Sequence, residues 1–330
     1  MFTPLETAII QSEPFRRLAG IHKNGAAYLW DSRICRSTAE HTLNLLGIVK
    51  TLAPRDIRLH CAALLHDIGH IVFSHAAEQL FAVEGYKSTH LKFTEEIVES
   101  RPISAILRGA GIDPGEIVDI ILAKPPNLIA NRWPDPNADR IEYFFADRPQ
   151  PHGVEFDFGP ILRELRIGPD TQIAPMSSGM ARLLAQQSLD MFVNQYGTPA
   201  QAVLQHSIYV LLRLAHEAGV ISDEDLMTTD SLVLSKIAHS ELADRMRFLG
   251  APFSARHASK SDSNFHFGSI KLRVLDPLLV SGERYSDTDA EFREKIRALE
   301  ISTKDVYVII EAGEDFLEFI NTFGHGHAIG

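Results

Sequence analysis

The sequence predicts an all-α fold, a bundle of helices with a small α+β segment at its C-terminal end. Three observations predict it. Apolar residues recur with helical periodicity through the first three quarters of the chain. β-like runs are confined to residues 270–275 and 306–310, on either side of a charged helix at 289–299. An apolar run over 59–65 ends abruptly in His66-Asp67, with His70 and His75 close behind, a polar centre that an apolar helix has no packing reason to carry.

Taken in order, Ser37 or Thr38 caps a helix over 39–52, and Pro54 stops it. A second helix starts near Arg55 and runs to the His-Asp pair, where Gly69 loosens it. Helices are expected at 74–84, 90–99, 103–109, 115–123 and 137–147, with the prolines at 125–126, 134 and 136 breaking the pattern between the last two. Residues 149–175 are irregular, and the alternating stretch 154–158 suggests a hairpin or a flap over a site. Long helices resume at 179–196, 199–218 and 230–249, with a short capped helix at 221–226. Composition shifts after Gly250, where the Ser- and Ala-rich stretch 254–263 reads as a loop. The expected organisation is therefore a helical body over 1–250, with its core at 33–148 and further helices at 179–249, and a small α+β extension over 251–330.

With 330 residues, 45% of them hydrophobic, the chain has enough apolar surface for a large core. Its net charge of -11 argues against broad binding to a nucleic acid backbone or an anionic lipid surface. Two cysteines, Cys35 and Cys61, make no disulfide framework, which fits a reducing compartment. The first residues lack a basic segment followed by an apolar run, and no uncharged apolar stretch reaches the ~18 residues of a membrane span. The expectation is a cytoplasmic protein without a membrane partner. A homo-oligomer is the expected assembly.

A neutral imidazole beside a carboxylate suits a divalent cation, which lowers the pKa of a bound water. Neighbours on a regular helix point about 100° apart, so His66 and Asp67 reach one ion most easily at a helix end. A third ligand can come from His41, in the preceding helix across the turn at 53–54. Asp139 is the candidate fourth, and Glu142 and Tyr143 share its helical face at i+3 and i+4. The paired histidines of the tail, His325 and His327, have only the spacing of a weak site.

In the order His41, His66-Asp67, Asp139, the chain resembles the HD superfamily of metal-dependent phosphohydrolases. Leu64-Leu65-His66-Asp67-Ile68-Gly69-His70 with Phe73-Ser74-His75 is similar to the branch containing deoxynucleoside triphosphate triphosphohydrolases. So are Pro14-Phe15-Arg16-Arg17-Leu18 upstream, Asp139-Arg140 with Tyr143 and Asp147 downstream, and, weakly, Val274-Leu275-Asp276-Pro277. The resemblance implies an HD-domain helical bundle and one divalent cation (Mn, Fe, Mg, Co or Zn) on His41, His66, Asp67 and Asp139. It implies that His70 and His75 contact phosphate and act as general acid, with His75 the choice for the acid and Glu78 orienting it, and that His90 lines the site. Arg140 is a candidate for neutralising phosphate charge, and the resemblance places Tyr143 and Asp147 on a sugar 3′-hydroxyl.

The implied partner is a small nucleotide or another phosphoester, with no stable binding of nucleic acid. A deoxynucleoside triphosphate leads. A 5′-nucleotidase or phosphodiesterase, a nucleotide-binding regulator with a vestigial site, and a two-iron oxygenase are the alternatives. Three departures matter. Thr38 stands where relatives carry Arg, with Arg33 and Arg36 nearby. Ile71-Val72 replaces Gly-Pro. Residues 190–199 lack the basic residues that relatives supply to the phosphate tail, and Arg182, Arg213 and His206 are the candidates to compensate.

Overall fold

Ser37, Asp56 and Asn137 begin the three helices on which the rest of the molecule depends. The computed structural model describes residues 1–78, 80, 89–149, 156–168 and 172–324. The chain opens with α1 (Pro4–Gln11) and α2 (Glu13–Arg17), followed by short helical turns to Leu29. Then come α3 (Thr38–Leu52), α4 (Ile57–Leu65), α5 (His75–Glu78), α6 (Thr89–Glu99), α7 (Ile103–Gly109), α8 (Pro114–Ile121) and α9 (Ala138–Ala146). A short α10 (Gly159–Leu162) leads into an antiparallel hairpin of β1 (Leu165–Ile167) and β2 (Ile173–Pro175). Next are α11 (Ser178–Met191), which runs on into a wide turn over Phe192–Tyr196, α12 (Pro199–Glu217), α13 (Asp223–Leu226) and α14 (Asp230–Ala238). The last part holds β3 (Ser254–His257), β4 (Phe265–His266), α15 (Tyr285–Thr288), α16 (Ala290–Ser302), β5 (Tyr307–Glu311) and α17 (Glu314–Ile320). The protein is mainly helical, with β5 central in a three-stranded antiparallel sheet between β3 and β4.

Local chemistry accounts for the helix starts. Ser37 and Glu40 form a capping box at α3, Asp56 accepts from Leu59 N at α4, and Asn137 accepts from Arg140 N at α9. α3 and α4 pack together across residues 53–56, where His60 Nε2 donates to the Ala53 carbonyl at 2.9 Å. Buried Glu6 ties α1 to this pair through Lys50 at 2.8 Å.

Two apolar clusters fill the interior. One gathers Leu45, Leu64, Leu65, Ile68, Ile141 and Phe144 from α3, α4 and α9. The other gathers Ile71, Val72, Phe73, Leu211, Phe267 and Phe319, so α12 and the C-terminal segment share a core. Residues 66–75 cross from the first cluster to the second, and the polar side chains of the His-Asp stretch lie at that seam.

Several expectations need correction. The helix expected over 230–249 ends at Ala238, because Ser240 Oγ turns back to the Ile237 carbonyl and accepts from Leu242 N, competing with the helical ladder. A 3₁₀ turn over Ala243–Phe248 follows. The loop expected at 254–263 begins as strand β3, registered so that Ser254 faces Glu311. As an edge strand with mostly exposed side chains, it carries no apolar alternation to read. Residues 270–275, expected as β, are extended but belong to no strand, and only isolated bonds such as Ile270 N to the Thr303 carbonyl hold them. The end of the helix expected at 74–84, the start of the 154–158 stretch, and His325 and His327 lie outside the described residues. Among the described residues no helix is long and apolar enough to cross a membrane. Cys35 and Cys61 form no disulfide, and burial pushes the Cys61 thiol up to about 12.

Candidate metal centre

The C-terminus of α4 presents His66, and the turn after it presents Asp67. Arg17 pins that turn by donating to the Ile68 and His70 carbonyls, each at 2.8 Å. Gly69 allows α6 to close on it: a Cβ there would lie 2.2 Å from the His90 carbonyl oxygen and 2.3 Å from Thr94 N. This close approach carries His90 beside His70, ring centroids 4.3 Å apart. Phe73 and Ser74 follow at φ 54° and 47°, a strained turn for residues other than glycine. Asp230 and His22 hold it, since Phe73 N donates to Asp230 Oδ1 at 2.7 Å and Ser74 Oγ to the His22 carbonyl at 2.9 Å.

His41, His66, Asp67 and Asp139 converge. His41 Nε2 lies 3.2 Å from His66 Nε2, 3.2 Å from Asp139 Oδ1 and 3.5 Å from Asp67 Oδ2. His66 Nε2 lies 3.4 Å from Asp67 Oδ2 and 3.9 Å from Asp139 Oδ1. The outer edges of both rings are committed. His66 Nδ1 donates to the Ala63 carbonyl at 3.0 Å, and His41 Nδ1 donates to the buried carboxylate of Glu142. In the neutral form that a metal ligand takes, a ring protonated at Nδ1 turns its Nε2 lone pair inward. Two such lone pairs and two carboxylates facing one another need positive charge among them, which Lys23 and a proton on His41 supply in part and a divalent cation would supply in full. The set of two imidazoles and two carboxylates therefore fits a divalent cation of intermediate hardness.

The same geometry sets a pH dependence. Burial and Lys23 oppose the His41 imidazolium, but Glu142 and Asp139 outweigh them and raise His41 to about 9. The metal-free site therefore keeps a proton that a metal must displace. Apparent metal affinity should rise about tenfold per pH unit across neutral pH and level off above about 9, since one proton is released per ion bound. A calorimetric Mn²⁺ titration series checks this, and a flat profile through neutral pH contradicts it.

A second cluster adjoins the first through Asp67, whose Oδ1 lies 3.4 Å from His70 Nε2. Glu78 Oε1 lies 2.9 Å from Nδ1 of both His75 and His90, and 3.5 Å from Nδ1 of His70. Burial drives His70 down to about 3, so it is neutral. Burial also lowers His75, whereas at His90 the pull of Glu78 overcomes burial and raises it. Against its own burial, Glu78 is held well below the usual carboxylate range by His90 and His75.

Asp139, Tyr143 and Asp147 share one face of α9, but Asp147 already has partners. It accepts from Arg36, and from the Tyr196 hydroxyl at 3.0 Å. Arg36 also pairs with Glu142, so it brings the charge that Thr38 lacks. Arg140 departs from its expected role. Its guanidinium donates to Asn131 Oδ1 at 2.7 Å and to the carbonyls of Asn131, Arg132 and Asp135, and it stacks on Trp133 4.0 Å from the ring centre. One position beyond Asp139 on a helix, it points into the 131–136 loop. None of the compensating candidates reaches the cluster. Arg213 pairs with Glu217 and covers Phe323, His206 Nε2 donates to the Ile320 carbonyl at 2.9 Å, and Arg182 lies near Asp289.

Sequence reasoning missed Lys23, whose Nζ donates to Asp67 Oδ2 at 2.7 Å. A two-residue β-bridge, His22 to Ser37, places Lys23 and Arg36 side by side at the centre. The segment has no helical or strand period, so only the charge of these two residues marks them in the sequence.

Residues 38–140 match the family model of the HD domain. Over 314 residues, 92% of this chain and 93% of the other, the sequence is 25% identical to the uncharacterized protein YdhJ of Bacillus subtilis (strain 168). Among solved structures, the fold is similar to a hypothetical protein from Aquifex aeolicus, with a TM-score of 0.70 and 18% identity, covering 97% of this chain and 95% of that one. It is also similar to a phosphohydrolase from Bacteroides thetaiotaomicron VPI-5482, with a TM-score of 0.67 and 14% identity over 95% and 96% of the two chains.

Proposed function

With an HD domain at residues 38–140 as the premise, we propose that the chain is a metal-dependent phosphohydrolase acting on a nucleotide, with a deoxynucleoside triphosphate, cleaved to deoxynucleoside and triphosphate, as its leading substrate. The observation that carries this reading is the convergence of two imidazoles and two carboxylates beside a partly buried His-Glu-His cluster. When bound, a divalent cation supplies Lewis-acid polarisation of a phosphoryl oxygen and a water of lowered pKa. The phosphohydrolase from Bacteroides with a similar fold supports the assignment.

The protein's own groups divide the work. His41, His66, Asp67 and Asp139 hold the cation, and Glu142 fixes the His41 tautomer. His75 is the more exposed of the two histidines on Glu78, at 36% of its side chain against 14% for His90, so it meets the leaving oxygen. Glu78 orients it, and an arriving phosphate charge favours the protonated form of His75. Neutral His70 donates from Nε2 toward Asp67. Tyr143 and Asp147 line the sugar side of α9, with Tyr196 and Arg36 fixing the carboxylate of Asp147.

A second reading, a 5′-nucleotidase or phosphodiesterase on the same scaffold, is favoured by one observation. Lys23 and Arg36 are already paired with acids, and Arg140 is turned away, so few cations are left for a triphosphate. The test is a screen of nucleotides and simple phosphoesters with Mn, Mg, Co and Fe, with products resolved by chromatography. Tripolyphosphate as product supports the leading reading, and orthophosphate or a nucleoside monophosphate supports the second. No cleavage of any substrate with any ion overturns both.

The sugar side gives its own expected result. Tyr143→Phe and Asp147→Asn should change the deoxyribo-to-ribo preference by about tenfold, the value of one hydrogen bond, with metal content unchanged. Equal loss on both sugar types, measured as kcat/KM, contradicts the assignment.

A further inference from the structure

We infer that Arg273, lent by the C-terminal segment, is the guanidinium that binds the substrate's phosphate group at the mouth of this cleft. The inference rests on the phosphohydrolase reading for its ligand, but its evidence is separate.

Arg273 sits on the extended stretch that belongs to no strand, and that stretch is fastened on both sides. Ile270 N donates to the Thr303 carbonyl at 2.8 Å. Leu275 N donates to Ser188 Oγ on α11 at 2.8 Å, and Asp276 N to the Pro134 carbonyl at 3.0 Å, just before α9. Leu275 is fully buried in the core with α9, and Val274 is buried in the other cluster. The backbone at 273 is therefore fixed between α9 and α11, although no periodic element carries it.

From that position the guanidinium lies within electrostatic reach of Tyr143, His75 and Tyr196. Arg273 is thus at the edge of α9 that carries Asp139, and on the same side as the His-Glu-His cluster. It is half-buried, and among the described residues no carboxylate forms an ion pair with it. The other cations near the site differ: Lys23 is on Asp67, Arg36 on Glu142 and Asp147, Arg17 on three carbonyls, and Arg140 on its own loop.

A half-buried guanidinium has lost part of its hydration, and among the described residues no ion pair returns it. A phosphate group matches its planar donor fork with two parallel bonds and supplies the missing charge. Arg273 also stands in for the basic residues absent from 190–199, through a segment far away in sequence. Its place near Tyr143 links phosphate binding to the residue proposed to face the sugar.

The test uses the full chain reconstituted with Mn²⁺ and measures binding of inorganic tripolyphosphate by calorimetry, beside metal content, melting temperature and KM. Arg273→Gln should weaken tripolyphosphate binding about tenfold or more and raise KM, with kcat within a few-fold, metal content and melting temperature near native. Arg273→Lys should restore part of the affinity, because charge without the fork is only half of the recognition. The inference is overturned if Arg273→Gln binds tripolyphosphate as tightly as the native protein, if its loss only follows a fall in melting temperature or metal content, or if the native protein does not bind tripolyphosphate. Arg273-dependent binding in a protein that cleaves no phosphoester would remove the hydrolase reading and leave the anion site standing.

Discussion

Asp67→Ala should abolish both bound cation and turnover while helix content stays near native. Asp67 joins the four-residue centre to the neighbouring histidine cluster. Its Oδ2 lies 3.5 Å from His41 Nε2, 3.4 Å from His66 Nε2 and 2.7 Å from Lys23 Nζ, and its Oδ1 faces His70 Nε2 at 3.4 Å. Its burial favours the neutral acid, but His66, Lys23 and His70 hold it well below the usual carboxylate range. Removing it takes away one of four ligand groups and turns the Lys23 ammonium onto Asp139. The loss of metal affinity should exceed the roughly 100-fold that removal of an outer partner of a ligand produces. The α4 helix is capped at Asp56 and packed through Leu64 and Leu65, so its formation does not depend on Asp67. Elemental analysis, circular dichroism and a phosphoester assay on one preparation check the result. Full activity in the variant would remove the site assignment.

Glu142→Ala should have the largest effect on stability. Glu142 is fully buried, with one oxygen on His41 Nδ1 and the other accepting from Arg36 and from Asn44 Nδ2, the latter at 3.1 Å. Its burial opposes the charge, yet His41 and Arg36 keep it ionised, with its pKa lowered. Taking away one partner of a buried pair typically costs about 3–5 kcal/mol, because the remaining charge stays buried and uncompensated. The His41 tautomer is released at the same time, so metal affinity should fall about 10- to 100-fold. Glu142→Gln keeps a carbonyl to accept from His41, and should recover part of the metal affinity while still weakening the hold on Arg36. Thermal melts and metal titrations on the two variants separate these effects. A Glu142→Ala protein that melts with the native one would contradict the energetic role given to the pair.

The parts of the site legible in the sequence are those carried by capped helices. His41 sits just after the Ser37–Glu40 capping box, His66 closes the helix that Asp56 begins, and Asp139 opens the helix capped by Asn137. Helical spacing is regular, so residues on such elements can be placed from their positions. Lys23, Arg36 and Arg273 reach the centre from irregular backbone held by isolated bonds, where no period exists to read. Arg140 misled for a geometric reason: adjacency to Asp139 in sequence places its side chain about 100° around the helix, over Trp133. The break after Ala238 was hidden because it depends on one serine hydroxyl rather than on glycine or proline. Strand β3 was hidden because an exposed edge strand needs no apolar face.

The most direct test is a titration of the metal-stripped protein with Mn²⁺ while cleavage of a nucleotide phosphoester is followed. Cleavage should be absent at the start, rise in proportion to added ion, and stop rising near one equivalent per chain. Cleavage that ignores the ion, or a protein that saturates with Mn²⁺ and leaves every phosphoester whole, would contradict the assignment of His41, His66, Asp67 and Asp139 as a catalytic metal centre.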